Sequence, residues 1–121
     1  MDIKKMIDTI ETKGIDAESF VPELHDKLVK LYNEKDIERY TEILKDMLSL
    51  AVHLKFDLVL KYFGVRPIVT SDERKQFQEI FKCLATRNHN KDWFLNLFAL
   101  YLGLIVVFQF DTKIIERNLF C

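Results

Sequence analysis

Apolar residues recur at intervals of three and four along most of this 121-residue chain, and short polar turns separate the runs. That spacing places the apolar side chains of each run on one face of an α-helix. The runs therefore predict amphipathic helices on both sides of a more uniformly apolar stretch near the C-terminus. Their anchor positions are Ile3, Met6, Ile7 and Ile10; Phe20, Leu24, Leu28 and Leu31; Ile37, Tyr40, Ile43, Leu44 and Met47; Phe77, Ile80, Phe81 and Leu84; and Ile114, Ile115 and Leu119.

Residues with capping preferences predict the ends of the first helices. Gly14 is suited to end the first helix in a left-handed conformation, and Asp16 is suited to cap the second. The third helix is predicted to begin at Asn33 or Asp36, since both side chains accept hydrogen bonds from a first helical turn.

The third apolar run continues to Gly64, which is long for one globular helix. A bend or break is therefore predicted between Leu54 and Leu58. An extended loop is predicted over 65–70, because Gly64 and Pro67 interrupt the helical pattern.

Three further starts are predicted in the C-terminal half. Thr70, with Glu73 three residues later, matches a capping box at the start of the fourth helix. Asn90 is predicted to cap the apolar stretch, and Asp111 or Thr112 a short C-terminal helix.

The apolar stretch from Trp93 to Phe110 contains no charged residue in its 18 positions. A helix that is apolar on all sides is either the centre of a bundle or a membrane span, and this one would be about 27 Å long. The polar Asn96 and Gln109 and the balanced flanking charges favour the bundle centre. A tail-anchored membrane protein with 93–110 as its span is the alternative.

The second half of this stretch also has a strand-like composition. Leu104 to Phe110 is rich in β-branched and aromatic residues, and Gly103 is placed to end a helix before it. Helix is favoured, because the sequence offers no second convincing strand for pairing.

Together these elements predict an all-α fold. We expect a single compact bundle of five to six helices around a central hydrophobic helix at about 91–110, in a single domain over 1–121. The composition agrees, with 49% hydrophobic and 31% charged residues and only 3 Gly and 2 Pro. Two cysteines far apart, and no signal-peptide run after Met1, favour a reducing cytoplasmic compartment.

Histidine and cysteine offer little catalytic or metal-binding chemistry. His53 and Asp57 have the spacing of two ligands on one helix, and Cys83 precedes His89 by six residues. Neither pair has a third group, and no phosphate loop, zinc spacing or nucleophile elbow is present. We therefore predict no catalytic residue, metal or cofactor, with a helical metal- or haem-binding protein as an alternative.

Charge is unevenly distributed although the net charge is −1. Residues 1–46 hold 8 Lys/Arg and 12 Asp/Glu, a net of −4, whereas 47–121 carry a net of +3. The carboxylates that recur every four residues are predicted to lie along the polar side of the third helix as a surface that attracts a basic protein. These residues, the acidic row below, are Glu34, Glu38, Glu42 and Asp46.

The function that these observations favour is a non-catalytic protein-interaction module, such as an inhibitor, an immunity protein or a viral modulator of a host protein. Its partner is expected to be another protein, and a homodimer is left open. Nucleic acid is not expected, because the basic residues are not interleaved with aromatic ones.

Overall fold

The structure, a computed structural model, describes residues 2–9 and 17–120. Within these ranges the chain is all-helical, as predicted, with seven α-helices and one short 3₁₀ helix. The helices are α1 (Ile3–Thr9), α2 (Ala17–Glu34), α3 (Ile37–His53), α4 (Asp57–Phe63), α5 (Glu73–Ala85), the 3₁₀ helix (Arg87–His89), α6 (Trp93–Phe108) and α7 (Thr112–Phe120). Ile10, Gly14 and Asp16, which entered the predictions above, lie outside the described residues, as does Cys121, the second of the two cysteines.

The residues group into two compact units. The first consists of Met1–Gly64 with Thr112–Cys121, and the second of Val65–Asp111. The predicted single domain over 1–121 is not decided by this division and stays a prediction.

In the first unit α3 is the most deeply buried helix. It packs against α1, α2, α4 and α7. Asp36 caps it, as predicted, because its carboxylate accepts a 3.0 Å hydrogen bond from the backbone N–H of Glu38. The buried residues of α3 occupy more than one face: Tyr40, Thr41, Ile43, Leu44, Met47, Leu48, Leu50 and Ala51.

The predicted break after Leu54 is confirmed. The backbone N–H of Phe56 donates to the carbonyl of Ala51, and that of Lys55 to the carbonyl of Val52. This is the Schellman arrangement, with Lys55 at φ 65° in the left-handed position that glycine usually occupies. α4 then begins at Asp57 and ends before Gly64, whose φ is 69°.

A second Schellman arrangement ends α6. The N–H of Phe110 donates to the carbonyl of Ile105, and the N–H of Gln109 to that of Val106, with Gln109 at φ 58°. The helix therefore runs over 93–108 rather than 91–110, and the strand alternative for 104–110 is wrong. Asn96 and Gln109, the polar residues of this stretch, are both exposed.

In the second unit α5 packs along α6. The aromatic rings of Phe77 and Phe108 join the two helices, with centroids 5.9 Å apart. The core of this unit includes Leu97, Phe98 and Tyr101 of α6, which are fully buried.

One fully buried polar residue, Gln76 on α5, organises the 65–70 segment. Its Nε2 donates to the carbonyls of Ile68 and Leu100, both at 2.7 Å. Its Oε1 accepts from the backbone N–H of Thr70 at 2.8 Å, and the Thr70 hydroxyl lies 2.9 Å away. The side chain thus ties the segment to both helices of the unit.

A glycine allows this close approach. Gly103 faces the 65–70 segment, and a Cβ added there would overlap the carbonyl oxygen of Ile68 and lie 2.6 Å from Nε2 of Gln76. The backbone N–H of Ile68 also donates to the carbonyl of Ala99 at 3.0 Å. Gly103 would have ended the helix only under the strand alternative; it lies inside α6, as the favoured helix predicted, at the position against which the segment packs.

The same contacts explain why the predicted capping box at Thr70 is wrong. Thr70 directs its backbone N–H and its hydroxyl toward Gln76, so it does not start the helix. Asp72 caps α5 instead, and its carboxylate accepts a 2.8 Å hydrogen bond from the N–H of Lys75. Asn90 likewise does not cap α6, since its Oδ1 accepts from the N–H of Asp92 within the preceding turn.

Candidate protein-interaction surfaces

The acidic row does not lie on one helix. Glu34 is the last residue of α2, whereas Glu38, Glu42 and Asp46 lie on α3. Between them Lys35 adopts φ 54°, which ends the helical repeat, so the four-residue spacing no longer places Glu34 in line with the others. The placement of Glu34 on the third helix is therefore wrong.

The two outer members of the row form ion pairs. Asp46 accepts a 2.7 Å hydrogen bond from the ammonium group of Lys27 on α2, and this bond raises the pKa of Lys27. Glu34 accepts a 2.9 Å bond from Nε of Arg39. Both pairs join α2 to α3, so these two carboxylates have a structural use.

The two inner members are exposed to solvent. Glu38 and Glu42 lie one turn apart on α3, and neither side chain is among the ion pairs of the described residues. Glu42 also raises the pKa of Lys27 through its charge, after the larger effects of Asp46. The acidic surface therefore reduces to Glu38 and Glu42, with Asp46 at its half-buried end.

Among the described residues of the first unit, four of the five exposed large apolar side chains lie on α4. Leu58, Val59, Tyr62 and Phe63 have exposed fractions of 59%, 37%, 69% and 86%. Leu58 and Tyr62 are four residues apart, as are Val59 and Phe63, so the two pairs form adjacent rows on one side of the helix. We call these four residues the α4 face.

The buried side of α4 is narrow. Leu60 is 1% exposed, and the helix packs against α1 and α3. Lys61 is held on α1 by a 2.6 Å ion pair with Asp8, and this hydrogen bond raises the pKa of Lys61. A seven-residue helix with five large apolar side chains cannot bury all of them on one such side, so the rest project outward.

Charged groups at the edge of the α4 face are balanced. The ammonium group of Lys4 lies 5.9 Å from the ring centroid of Tyr62, within range of a cation–π contact. Asp8, through its hydrogen bond, and then Asp57, through its charge, raise the pKa of Lys61, so these two carboxylates offset the two ammonium groups of Lys4 and Lys61.

The structure separates the histidine pair considered above. His53 is the last residue of α3 and Asp57 the first of α4, so they are not successive turns of one helix. His25, His53 and His89 are all exposed. Within residues 2–9 and 17–120, no group of three or more His, Cys, Asp and Glu side chains has the arrangement of a metal site.

Cys83 is a half-buried free thiol on α5. Burial, and then the charge of Glu79, raise its pKa above the ordinary value. A raised pKa disfavours the thiolate, which is the nucleophilic form of cysteine. This environment is the opposite of that expected for the Cys–His nucleophile pair considered from sequence.

Sequence reasoning missed both the exposure of the α4 face and the burial of Gln76. The signal for the exposure was the number of apolar residues between the predicted break and Gly64, which is larger than one face of a short helix can bury. The signal for the second was spacing: Gln76, Ile80 and Leu84 recur every four residues, which puts the amide on the apolar stripe of α5.

Among the described residues, no helix has both the length and the apolar character needed to cross a membrane. Comparison of the chain with protein-family models, with curated proteins and with solved structures found no match.

Proposed function

We propose that this protein is a non-catalytic interaction module that binds another protein through the α4 face. The observation that supports this proposal is the exposure of Leu58, Tyr62 and Phe63, each more than half accessible to solvent. Large apolar side chains grouped on one exposed surface are typical of protein interaction sites, whereas single exposed ones are ordinary.

The shape of the α4 face defines its partner. Phe63 is 86% exposed, so it projects from the surface and does not line a groove. The partner therefore supplies the concave part, a pocket with apolar walls that encloses Phe63 and Tyr62. Aromatic side chains that fill such pockets often dominate the binding free energy.

The size of the face suits a moderate interface with a different protein. Its four side chains expose roughly 500 Å², given about 150–250 Å² for a large apolar side chain. That area matches the largest patches of ordinary monomers and can form the centre of an interface of about 800 Å² per partner. Obligate homodimers generally bury more, so a second copy of this chain is the less favoured partner.

Charge near the α4 face favours a protein over an anionic surface. Among the described residues, Lys4 and Lys61 are offset by Asp8 and Asp57, so these four charges provide no basic excess to attract a phosphate-rich surface. Specificity at this face thus depends on its shape and apolar contacts.

Glu38 and Glu42 are a second contact surface in this proposal. Their exposure favours a role in long-range attraction, because exposed rim charges chiefly increase the association rate. An inhibitor, an immunity protein and a viral host modulator are the kinds of protein that fit this description.

The test places a photo-reactive benzoylphenylalanine at position 63 of the full chain in its source cells. The control carries the same group at Val29, which is 40% exposed on α2. A protein that crosslinks at 63 and not at 29 is purified, and its Kd is measured with the unmodified chain. We expect Tyr62→Ser with Phe63→Ser to weaken that Kd by at least about a hundredfold, since aromatic anchors contribute about 2 kcal/mol or more each. An unchanged Kd would refute the α4 face as the contact surface.

A further inference from the structure

The 65–70 segment of the second unit has two backbone edges. One edge is hydrogen-bonded to α5 and α6, and the other faces away from these bonds. The N–H and the carbonyl of Ile68 bond to Ala99 and Gln76, and the N–H of Thr70 bonds to Gln76. In an extended chain the backbone groups of residues i and i+2 point to the same side. These three bonds therefore fix one inward edge, as a neighbouring strand would in a sheet.

The same geometry fixes the direction of the intervening groups. Residues 64–70 contain neither a turn nor a bend, as in an extended chain. In that conformation the carbonyl of Pro67 and the N–H and carbonyl of Val69 point to the opposite side. Neither backbone group of Val69 bonds to any residue that the structure describes. We call these three groups the Val69 edge; they present an acceptor, a donor and a second acceptor.

The side chains around this edge are accessible. Ile68 is 42% and Val69 47% exposed, and Arg66 and Pro67 are also exposed. An edge with unpaired N–H and C=O groups is a template for pairing with another extended chain. Pro67 has no N–H to donate, and proline is found mainly on edge strands for that reason.

We propose that the Val69 edge binds an extended peptide segment of a partner protein as an antiparallel strand. One peptide residue exchanges both backbone hydrogen bonds with Val69, and the residue two positions later donates its N–H to the carbonyl of Pro67. This site lies in the second unit and uses backbone chemistry, so it goes beyond the function proposed for the α4 face.

The side chains define which peptides fit. The two residues opposite Val69 and Ile68 are β-branched, because such pairs pack well across neighbouring strands. The residue opposite Arg66 is acidic, since opposite charges across strands are favourable. The partner segment thus has two adjacent β-branched residues followed, two positions after the second, by a carboxylate.

The experiment titrates the ¹⁵N-labelled full chain with the capped peptide Ac-Lys-Thr-Val-Val-Thr-Glu-NH₂. Its third residue pairs with Val69 and its sixth with Arg66. We expect NMR shifts centred on the amides of Arg66, Ile68, Val69 and Thr70, and slower hydrogen exchange at the Val69 N–H. Absence of shifts at these amides up to the solubility limit of the peptide would overturn the proposal.

Two N-methylated peptides provide a matched comparison that does not alter the protein. N-methylation of the third residue removes the N–H that the Val69 carbonyl accepts, and we expect binding at least about tenfold weaker. N-methylation of the fourth residue removes an N–H that points away, and binding should be retained. Equal weakening by both methyl groups would overturn the proposal.

Variants of the protein test the same edge from the other side. Val69→Pro removes the outward N–H, keeps all inward bonds and favours an extended conformation at Ile68. It should weaken binding at least about tenfold, whereas Val69→Thr, which keeps the N–H and the β-branch, should not. Equal affinity of the two variants would contradict the proposal. Loss of binding for Tyr62→Ser with Phe63→Ser, and not for Val69→Pro, would assign the peptide to the α4 face instead.

Discussion

At the scale of single residues, Gln76 is the side chain that holds the 65–70 segment against α6. It uses both of its amide protons and its oxygen within one buried cluster. A buried amide whose donors and acceptor are all hydrogen-bonded stabilises the folded state. Removal of such an amide leaves its backbone partners buried without hydrogen bonds.

Gln76→Leu should therefore lower the free energy of unfolding by about 2–4 kcal/mol, although leucine is apolar and the site is buried. The carbonyl of Ile68 and the N–H of Thr70 would lose the bonds that hold the 65–70 segment. Urea denaturation measures the effect. The control is Gln78→Leu on the exposed side of α5, which should change stability by less than about 0.5 kcal/mol. Equal stability of the two variants would show that the cluster is dispensable.

Gly103→Ala should also destabilise the protein, against the usual helix preference for alanine. In an exposed helix this change gains up to about 1 kcal/mol. Here the new Cβ would overlap the carbonyl of Ile68, so the segment must move and its bonds to Gln76 must lengthen. We expect a net loss of about 1–3 kcal/mol in thermal or urea unfolding. A more stable Gly103→Ala variant would contradict the close packing of the segment on α6.

The sequence contains a signal for the burial of Gln76 but not for its hydrogen-bond partners. Its four-residue spacing from Ile80 marks it as a stripe position, but the identity of its partners depends on backbone far away in sequence. Leu100 lies 24 residues from Gln76, and no local rule relates them.

At the scale of helices, α4 shows how a pattern can predict an element without its buried face. The break before it followed from length, and its end followed from Gly64. Which apolar side chains α4 buries depends on α1 and α3, which cover only the side that carries Leu60. Periodicity reports the presence of apolar residues, whereas burial depends on the partners that tertiary packing supplies.

Two variants of α4 separate its structural side from its exposed side. Tyr62→Ser with Phe63→Ser should change the free energy of unfolding by less than about 1 kcal/mol, because both side chains already face water. Leu60→Ala should cost about 2–5 kcal/mol, because it leaves a cavity beneath the helix. Chemical denaturation of the two proteins gives both values. A large loss for the serine variant would mean that the α4 face is buried within the protein in solution.

The acidic row shows that a regular spacing of residues can continue across the end of a helix. Three of its members do lie on α3, as the spacing predicted. Glu34 was lost from the row because Lys35 turns the chain out of α2 and α3 begins only after Asp36, the later of the two helix starts that the sequence predicted.

At the scale of the whole molecule, charge is segregated along the chain although it nearly cancels in sum. The first 46 residues carry a net of −4 and the remainder a net of +3. Such an asymmetry acts on the rate at which a charged partner arrives, and it is screened by salt.

Glu38→Gln with Glu42→Gln should slow association with the partner identified by crosslinking and reduce its salt dependence, while the dissociation rate changes little. Stopped-flow or surface-plasmon measurements at two salt concentrations test this. Ser71→Lys with Gln78→Lys alters the net charge equally, at exposed sites of the other unit, and serves as the control. The same association rate for both double variants would mean that only total charge matters.

The two Schellman helix ends carry a consequence for how easily this protein can be engineered. Lys55 and Gln109 hold left-handed backbone angles in which a Cβ costs about 1–2 kcal/mol and glycine costs none. Lys55→Gly and Gln109→Gly should each raise the free energy of unfolding by about 0.5–1 kcal/mol after the greater entropy of glycine in the unfolded chain is subtracted. Lys30→Gly, inside α2, should lower it by about 1 kcal/mol, and melting curves of the three variants measure the contrast. A gain at neither helix end would contradict the left-handed angles. With gains at both helix ends, the double glycine variant provides a stabilised parent in which destabilised variants such as Gly103→Ala fold well enough to be studied.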